Sequence, residues 1–305
     1  MSAILTAVLP VFLLIFLGTA FRRTGFLGAA FWEAAERLTY FALLPALLVR
    51  TLADADFAGL AALAMAGAIM LAILVMATGL LLVRPLLSLD GPAFTSLFQG
   101  TQRTNTYIGL AVAAGLFGPP GLAAAAIAVA ATVPLVNILS VAALARFAAT
   151  TAPSVRGTVW AFVRNPLLLA CLLGLLLNAS GLGLPQLIEP LLTIMGRGAL
   201  PLGLLAVGAG LNFATVRGSG RLLAASCGLK LLVMPGLTAF ACWALGANGL
   251  TAAVAVMFNA LPTATSTYIL ARQMGGDAPA MAAMITLQTA VALVALPVVL
   301  VLIGA

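Results

Sequence analysis

Long apolar runs separated by short polar breaks recur along the chain, at 3–21, 36–53, 59–83, 93–117, 120–145, 162–180, 187–212, 221–245, 248–271 and 279–303. Each has the length needed to cross the roughly 30 Å hydrocarbon core of a bilayer as a helix. The pattern predicts an all-α polytopic membrane protein with ten transmembrane helices. Two of the runs are interrupted by polar residues. The fourth carries "GTQRTNTYIG" (100–109), and the ninth carries "NALPTATSTYI" (259–269) with a proline inside it.

Composition excludes a soluble fold. Charged residues make up 7% of the 305 positions and the mean hydropathy is +1.22, whereas a soluble domain is about one quarter charged. The first run has no basic stretch before it. Arg22 and Arg23 follow it, so it reads as a first span and not as a cleaved leader. The net charge of +7 points to basic loops on one membrane face, with no nucleic-acid partner. Arg22, Arg23, Arg37, Arg84, Arg146, Arg156, Arg164, Arg217, Arg221 and Arg272 lie on or beside the odd-numbered connections, against Arg50 on the even ones. Basic residues mark the cytoplasmic side, so both termini are expected outside. An even number of spans requires termini on one side, in agreement.

The chain also resembles itself. "TNTYIGLA" (104–111) returns as "TSTYILA" (265–271), and Pro10, Pro45 and Pro134 recur as Pro166, Pro201 and Pro297 at offsets of 156 to 163. Two halves of five spans follow, 1–147 and 165–305, joined by a cytoplasmic connection at 148–164. An odd number of spans per half inverts the second half, as in many secondary transporters, whose sites lie near the midplane where interrupted helices meet.

Arg103 lies about ten residues into its span, or roughly 15 Å at 1.5 Å per residue. A charge at that depth costs at least about 3 kcal/mol unless it faces protein or a wet cavity. Snorkelling to an interface is the alternative, but Thr101, Gln102, Thr104, Asn105 and Thr106 around it cannot all snorkel. In the ninth span Pro262 removes a backbone donor, and Asn259, Thr263, Thr265, Ser266 and Thr267 are placed to satisfy the freed groups. For any one of these threonines, a bond back to its own helix is the other reading. Tyr107 and Tyr268 are the paired tyrosines of the two motifs. Asn137 is either a site residue or a helix–helix hydrogen bond.

Arg103, Arg197 and Lys230 are the cations inside spans, and the seven acidic residues fall at span ends or in loops. Arg197 and Lys230 read as neutralising helix C-termini or snorkelling. Arg103 predicts an anionic substrate, a carboxylate held by two parallel hydrogen bonds, with half-helix N-termini adding N–H groups. With no histidine and with Cys171, Cys227 and Cys242 all inside spans, no metal, cofactor or enzymatic chemistry is expected. Lack of intramembrane carboxylates argues against sodium or proton antiport.

The segments 103–141, 165–178, 199–211 and 261–277 resemble the auxin efflux carrier family, meaning its bacterial members and, more distantly, the plant PIN-type carriers. The resemblance covers essentially the whole chain. It implies two inverted five-helix repeats with helices 4 and 9 broken and crossing at the substrate site. It further implies a scaffold of helices 1, 2, 6 and 7, a transport domain of helices 3–5 and 8–10, an elevator-type motion and a homodimer in the bacterial inner (plasma) membrane. Asn105 matches the family's asparagine in span 4 and Pro262 its crossover proline. Ala111 stands where the family has proline, so Gly109 is expected to permit the break there. The implied cargo is a small organic anion such as malate, malonate or an auxin-like monocarboxylate, and a negative-inside potential would drive its export. A carrier of the same fold for a neutral or cationic solute, and a non-transporting ligand sensor, are the other readings.

Overall fold

The computed structural model describes residues 2–57, 61–148, 164–217 and 220–304. Most of these are helical, with no strand among them. Helix α1 spans Ser2–Thr24. The next stretch runs as α2 (Ala29–Leu38), a π-helical turn (Thr39–Leu43) and α3 (Leu44–Ala53) without leaving helical geometry. It begins well before the expected 36, because 29–35 is amphipathic and an apolar count passes over it. The wide π turn precedes Pro45, whose ring would otherwise press on the carbonyl one turn back. There follow α4 (Ala62–Val83), α5 (Gly91–Gln102), α6 (Thr106–Phe147), α7 (Pro166–Ala179) and α8 (Glu189–Ala209). After them come α9 (Gly220–Gly228), a second π turn (Leu229–Val233) before Pro235, α10 (Met234–Leu245), α11 (Gly249–Asn259), α12 (Ser266–Gln273) and α13 (Ala278–Leu302).

Among the described residues six stretches are long and apolar enough to cross a membrane: Ser2–Thr24, Ala62–Leu86, Gly91–Phe147, Glu189–Ala209, Gly220–Leu245 and Ala278–Leu302. The chain is therefore a multi-pass membrane protein. Its packing is that of a protein solvated by lipid: Leu5, Leu9, Leu13 and Leu17 of α1 are exposed at helical spacing, while Gln99, Thr101, Gln102 and Gln288 are fully buried.

The described residues pack as two compact units. One comprises Met1–Leu60, Thr106–Ala130 and Val163–Leu211, and the other Ala61–Asn105, Ala131–Phe162 and Asn212–Ala305. Each draws on both halves of the sequence. Most of the expected connection, 149–163 with Arg156, lies outside the described residues.

In the first unit α1 packs on α8, and α3 on α7 and α8. Glycine permits the closest of these approaches: a Cβ at Gly18 would strike the carbonyl oxygen of Leu205, and one at Gly208 that of Ile15. Thr19 donates to the Gly208 carbonyl at the same seam, 2.8 Å away. In the second unit α10 packs against α4 and α11, and α13 against α5, α9 and α12. Asp90 and Asp277 cap α5 and α13, accepting from Ala93 N–H at 2.8 Å and Ala280 N–H at 2.9 Å.

The proline pairs are placed unequally. Pro134 and Pro297 both lie within helices, and Pro45 and Pro201 both lie well inside helical stretches, but Pro10 is inside α1 whereas Pro166 opens α7.

Candidate functional site

Both polar stretches are helix breaks, and the second unit contains the residues that form them. Helix α5 stops at Gln102, where Arg103 turns extended (φ −71°, ψ 147°), and α6 starts at Thr106. Helix α11 stops at Asn259, and α12 starts at Ser266. The Asn105 N–H donates to the Pro262 carbonyl oxygen at 2.9 Å, so each break supplies a partner for the other's backbone. Gly109 and Ala111, expected at the first break, are instead helical residues of α6. A proline at 111 is not needed, because the break lies earlier and is held by a hydrogen bond from the second break. The "GPPG" segment bends α6 at Gly118, whose φ of 61° and ψ of −150° suit glycine.

A second tie comes from α13. The Gln288 Oε1 accepts from Thr263 N–H at 2.9 Å, while its Nε2 donates to the Gly100 carbonyl at 2.9 Å and to Ser226 Oγ at 2.7 Å. One buried amide thus joins the second break, α5 and α9. Thr263 Oγ1 and Thr267 Oγ1 are 3.4 Å apart. Gln288 and Ser226 were not among the expected site residues. A lone glutamine in an apolar run was the available signal, but nothing in the sequence says which way it faces.

Arg103 is half-buried, and two predicted residues hold its guanidinium: Nη1 donates to Asn137 Oδ1 at 2.8 Å and Nη2 to Ser266 Oγ at 3.4 Å. Asn137 therefore belongs with Arg103. Three further predicted residues take separate positions. Thr104 accepts from Lys230 Nζ at 3.0 Å, Asn259 donates to Thr238 Oγ1 at 2.8 Å, and Thr265 is half-buried just before α12. Lys230 does not snorkel, since it is fully buried, whereas Arg197 of α8 is exposed. Tyr268 is 37% exposed. Thr106 and Tyr107 open α6 and group with the first unit, where the Tyr107 ring leaves no room for a Cβ at Gly203.

The expectation of open N–H groups at the start of α12 is not met at two positions. Thr267 and Tyr268 donate to the Ala264 and Thr265 carbonyls, each at 3.1 Å. The positive end of the α12 dipole remains beside Ser266. Among its described residues the second unit contains Arg84, Arg103, Arg146, Arg217, Arg221, Lys230 and Arg272, but only Asp90 and Asp277 as acids. Both acids are the helix caps already described. A half-buried guanidinium with five N–H donors in a fixed fork, set in a cationic unit, is suited to a carboxylate. Among the described residues no group of His, Cys, Asp or Glu could hold a metal ion.

Residues 150–300 match the model of a family described as membrane transport protein. The chain is also 27% identical over 297 residues, 95% of each chain, to a protein of Methanothermobacter thermautotrophicus described as an uncharacterized transporter. Both findings agree with the resemblance to the auxin efflux carrier family.

Proposed function

We propose, from the match of residues 150–300 to a family described as membrane transport protein, that the chain is a secondary carrier of small organic anions, carboxylates such as malate, malonate or an auxin-like monocarboxylate. The observation that carries this reading is Arg103, half-buried at a helix break and oriented by Asn137 and Ser266. A carboxylate binds such a fork through two parallel, charge-assisted hydrogen bonds. Thr265 and Ser266 at the start of α12 contribute hydroxyls and the positive helix end.

The proposed architecture is ten crossings in two inverted repeats. The stretch Gly91–Phe147, at 57 residues, has the length for two of them, and α11 with α12 makes a broken ninth. An elevator-type mechanism is proposed with the second unit as the transport body. Its support is that both helix breaks are tied to each other and to α13 by hydrogen bonds inside that unit. A homodimer in the inner membrane, with both termini outside, completes the proposal. Under a negative-inside potential the direction is export, driven by about 2.3 kcal/mol per charge per 100 mV.

A competition panel tests the substrate class. Proteoliposomes loaded with labelled malonate are challenged with carboxylates, neutral analogues and amines. Competition confined to carboxylates is expected; competition confined to uncharged or cationic compounds would replace the anion reading with a carrier for those solutes.

A further inference from the structure

Lys230 lies in the π turn Leu229–Val233, is 0% exposed, and has Thr104 Oγ1 as its hydrogen-bond acceptor among the described residues, 3.0 Å away. Thr104 sits two residues beyond the end of α5, at the negative end of a helix interrupted inside the membrane stretch. Two other buried acceptors of this unit lack donors. Gln99 Oε1, near the end of α5, and Asn259 Oδ1, the last residue of α11, are buried without a hydrogen-bond partner among the described residues. The carboxylates of this unit, Asp90 and Asp277, are bound to helix N-termini. Both carboxylates among the described residues of this unit are therefore engaged away from the buried ammonium.

In secondary carriers, the C-terminal ends and unwound carbonyls of broken helices are where coupling sodium ions or protons are held. We infer that the Lys230 ammonium occupies that seat as a tethered cation, so that the chain works without a transported sodium ion, and that truncating the side chain opens a monovalent-cation site. The π turn serves this arrangement because widening the helix there shifts Lys230 off the regular register. A lysine also suits the task better than arginine, being a compact point charge on a flexible stem.

The inference deepens the carrier reading and rests on it, but its test measures cation binding without flux, so the two can fail separately. Unfolding temperatures of detergent-purified wild type and Lys230→Ala are compared in sodium, propylammonium and choline chloride at equal ionic strength. The wild type is expected to unfold at one temperature in all three. Lys230→Ala is expected to be less stable in choline and to recover several degrees in sodium or propylammonium, because a ligand that binds only the folded state raises its stability. A variant that unfolds at the same temperature in all three salts overturns the inference, as does a wild type stabilised by sodium. If the alanine variant cannot be purified, Lys230→Ser, which also removes the charge and opens the same space, is read the same way.

Discussion

The backbone N–H of Asn105 and the carbonyl oxygen of Pro262 are 2.9 Å apart and hydrogen-bonded, which joins the two interrupted helices at their breaks. A backbone bond of this kind tolerates side-chain change at 105 but not loss of the N–H. Asn105→Pro is expected to cost about 1–3 kcal/mol more than Asn105→Ala, the penalty of leaving a buried carbonyl unsatisfied. Chemical denaturation of the two variants in detergent checks this, and equal stabilities would contradict it.

Gln288 serves three partners with one amide. Gln288→Leu strands Thr263 N–H, the Gly100 carbonyl and Ser226 Oγ together. The expected loss exceeds about 2 kcal/mol, seen as a lower unfolding temperature. A variant as stable as wild type would mean that the second break is held by something else.

The seam between α1 and α8 reverses the usual effect of glycine-to-alanine changes in helices. Alanine is normally favoured over glycine inside a helix by about 1 kcal/mol, and Gly79→Ala in α4, with open space around it, should be neutral or stabilising. Gly18→Ala and Gly208→Ala should instead destabilise by about 1–3 kcal/mol, because the new methyl meets backbone that must shift. Thermal unfolding of the three variants side by side gives the comparison.

Asn137 orients Arg103 through its carbonyl oxygen. Asn137→Asp places a carboxylate at that atom, where it pairs with the guanidinium and competes with an anionic substrate. Flux is expected to fall further in Asn137→Asp than in Asn137→Ala, although the acidic variant should be no less stable. The reverse order of fluxes would argue against an anion at Arg103.

Much of this was legible in the sequence, for identifiable reasons. Helix existence followed from apolar run length, and both breaks followed from polar clusters that lipid cannot accommodate. The exact position of the first break did not follow. The proline expected at 111 suggested a break there, whereas the chain breaks at 103–105 with help from Pro262, a residue more than 150 positions away. Lys230 and Arg197 look alike by depth along their spans, yet one is buried and the other exposed. Depth in a run fixes height in the membrane, while facing depends on packing partners. Gln288 was missed for the same reason, and Tyr107, paired by motif with Tyr268, packs on Gly203 in the first unit.

The most direct measurement is efflux of labelled malate, malonate and indole acetate from proteoliposomes containing wild type, Arg103→Lys or Arg103→Ala, with the potential set by potassium and valinomycin. Potential-driven flux of at least one anion is expected in wild type. It should fall at least about tenfold in Arg103→Ala, the worth of a charge-assisted hydrogen bond, with an intermediate loss in Arg103→Lys, which keeps the charge but not the fork. Undiminished flux in Arg103→Ala would contradict the assignment of Arg103 as the anion-binding residue.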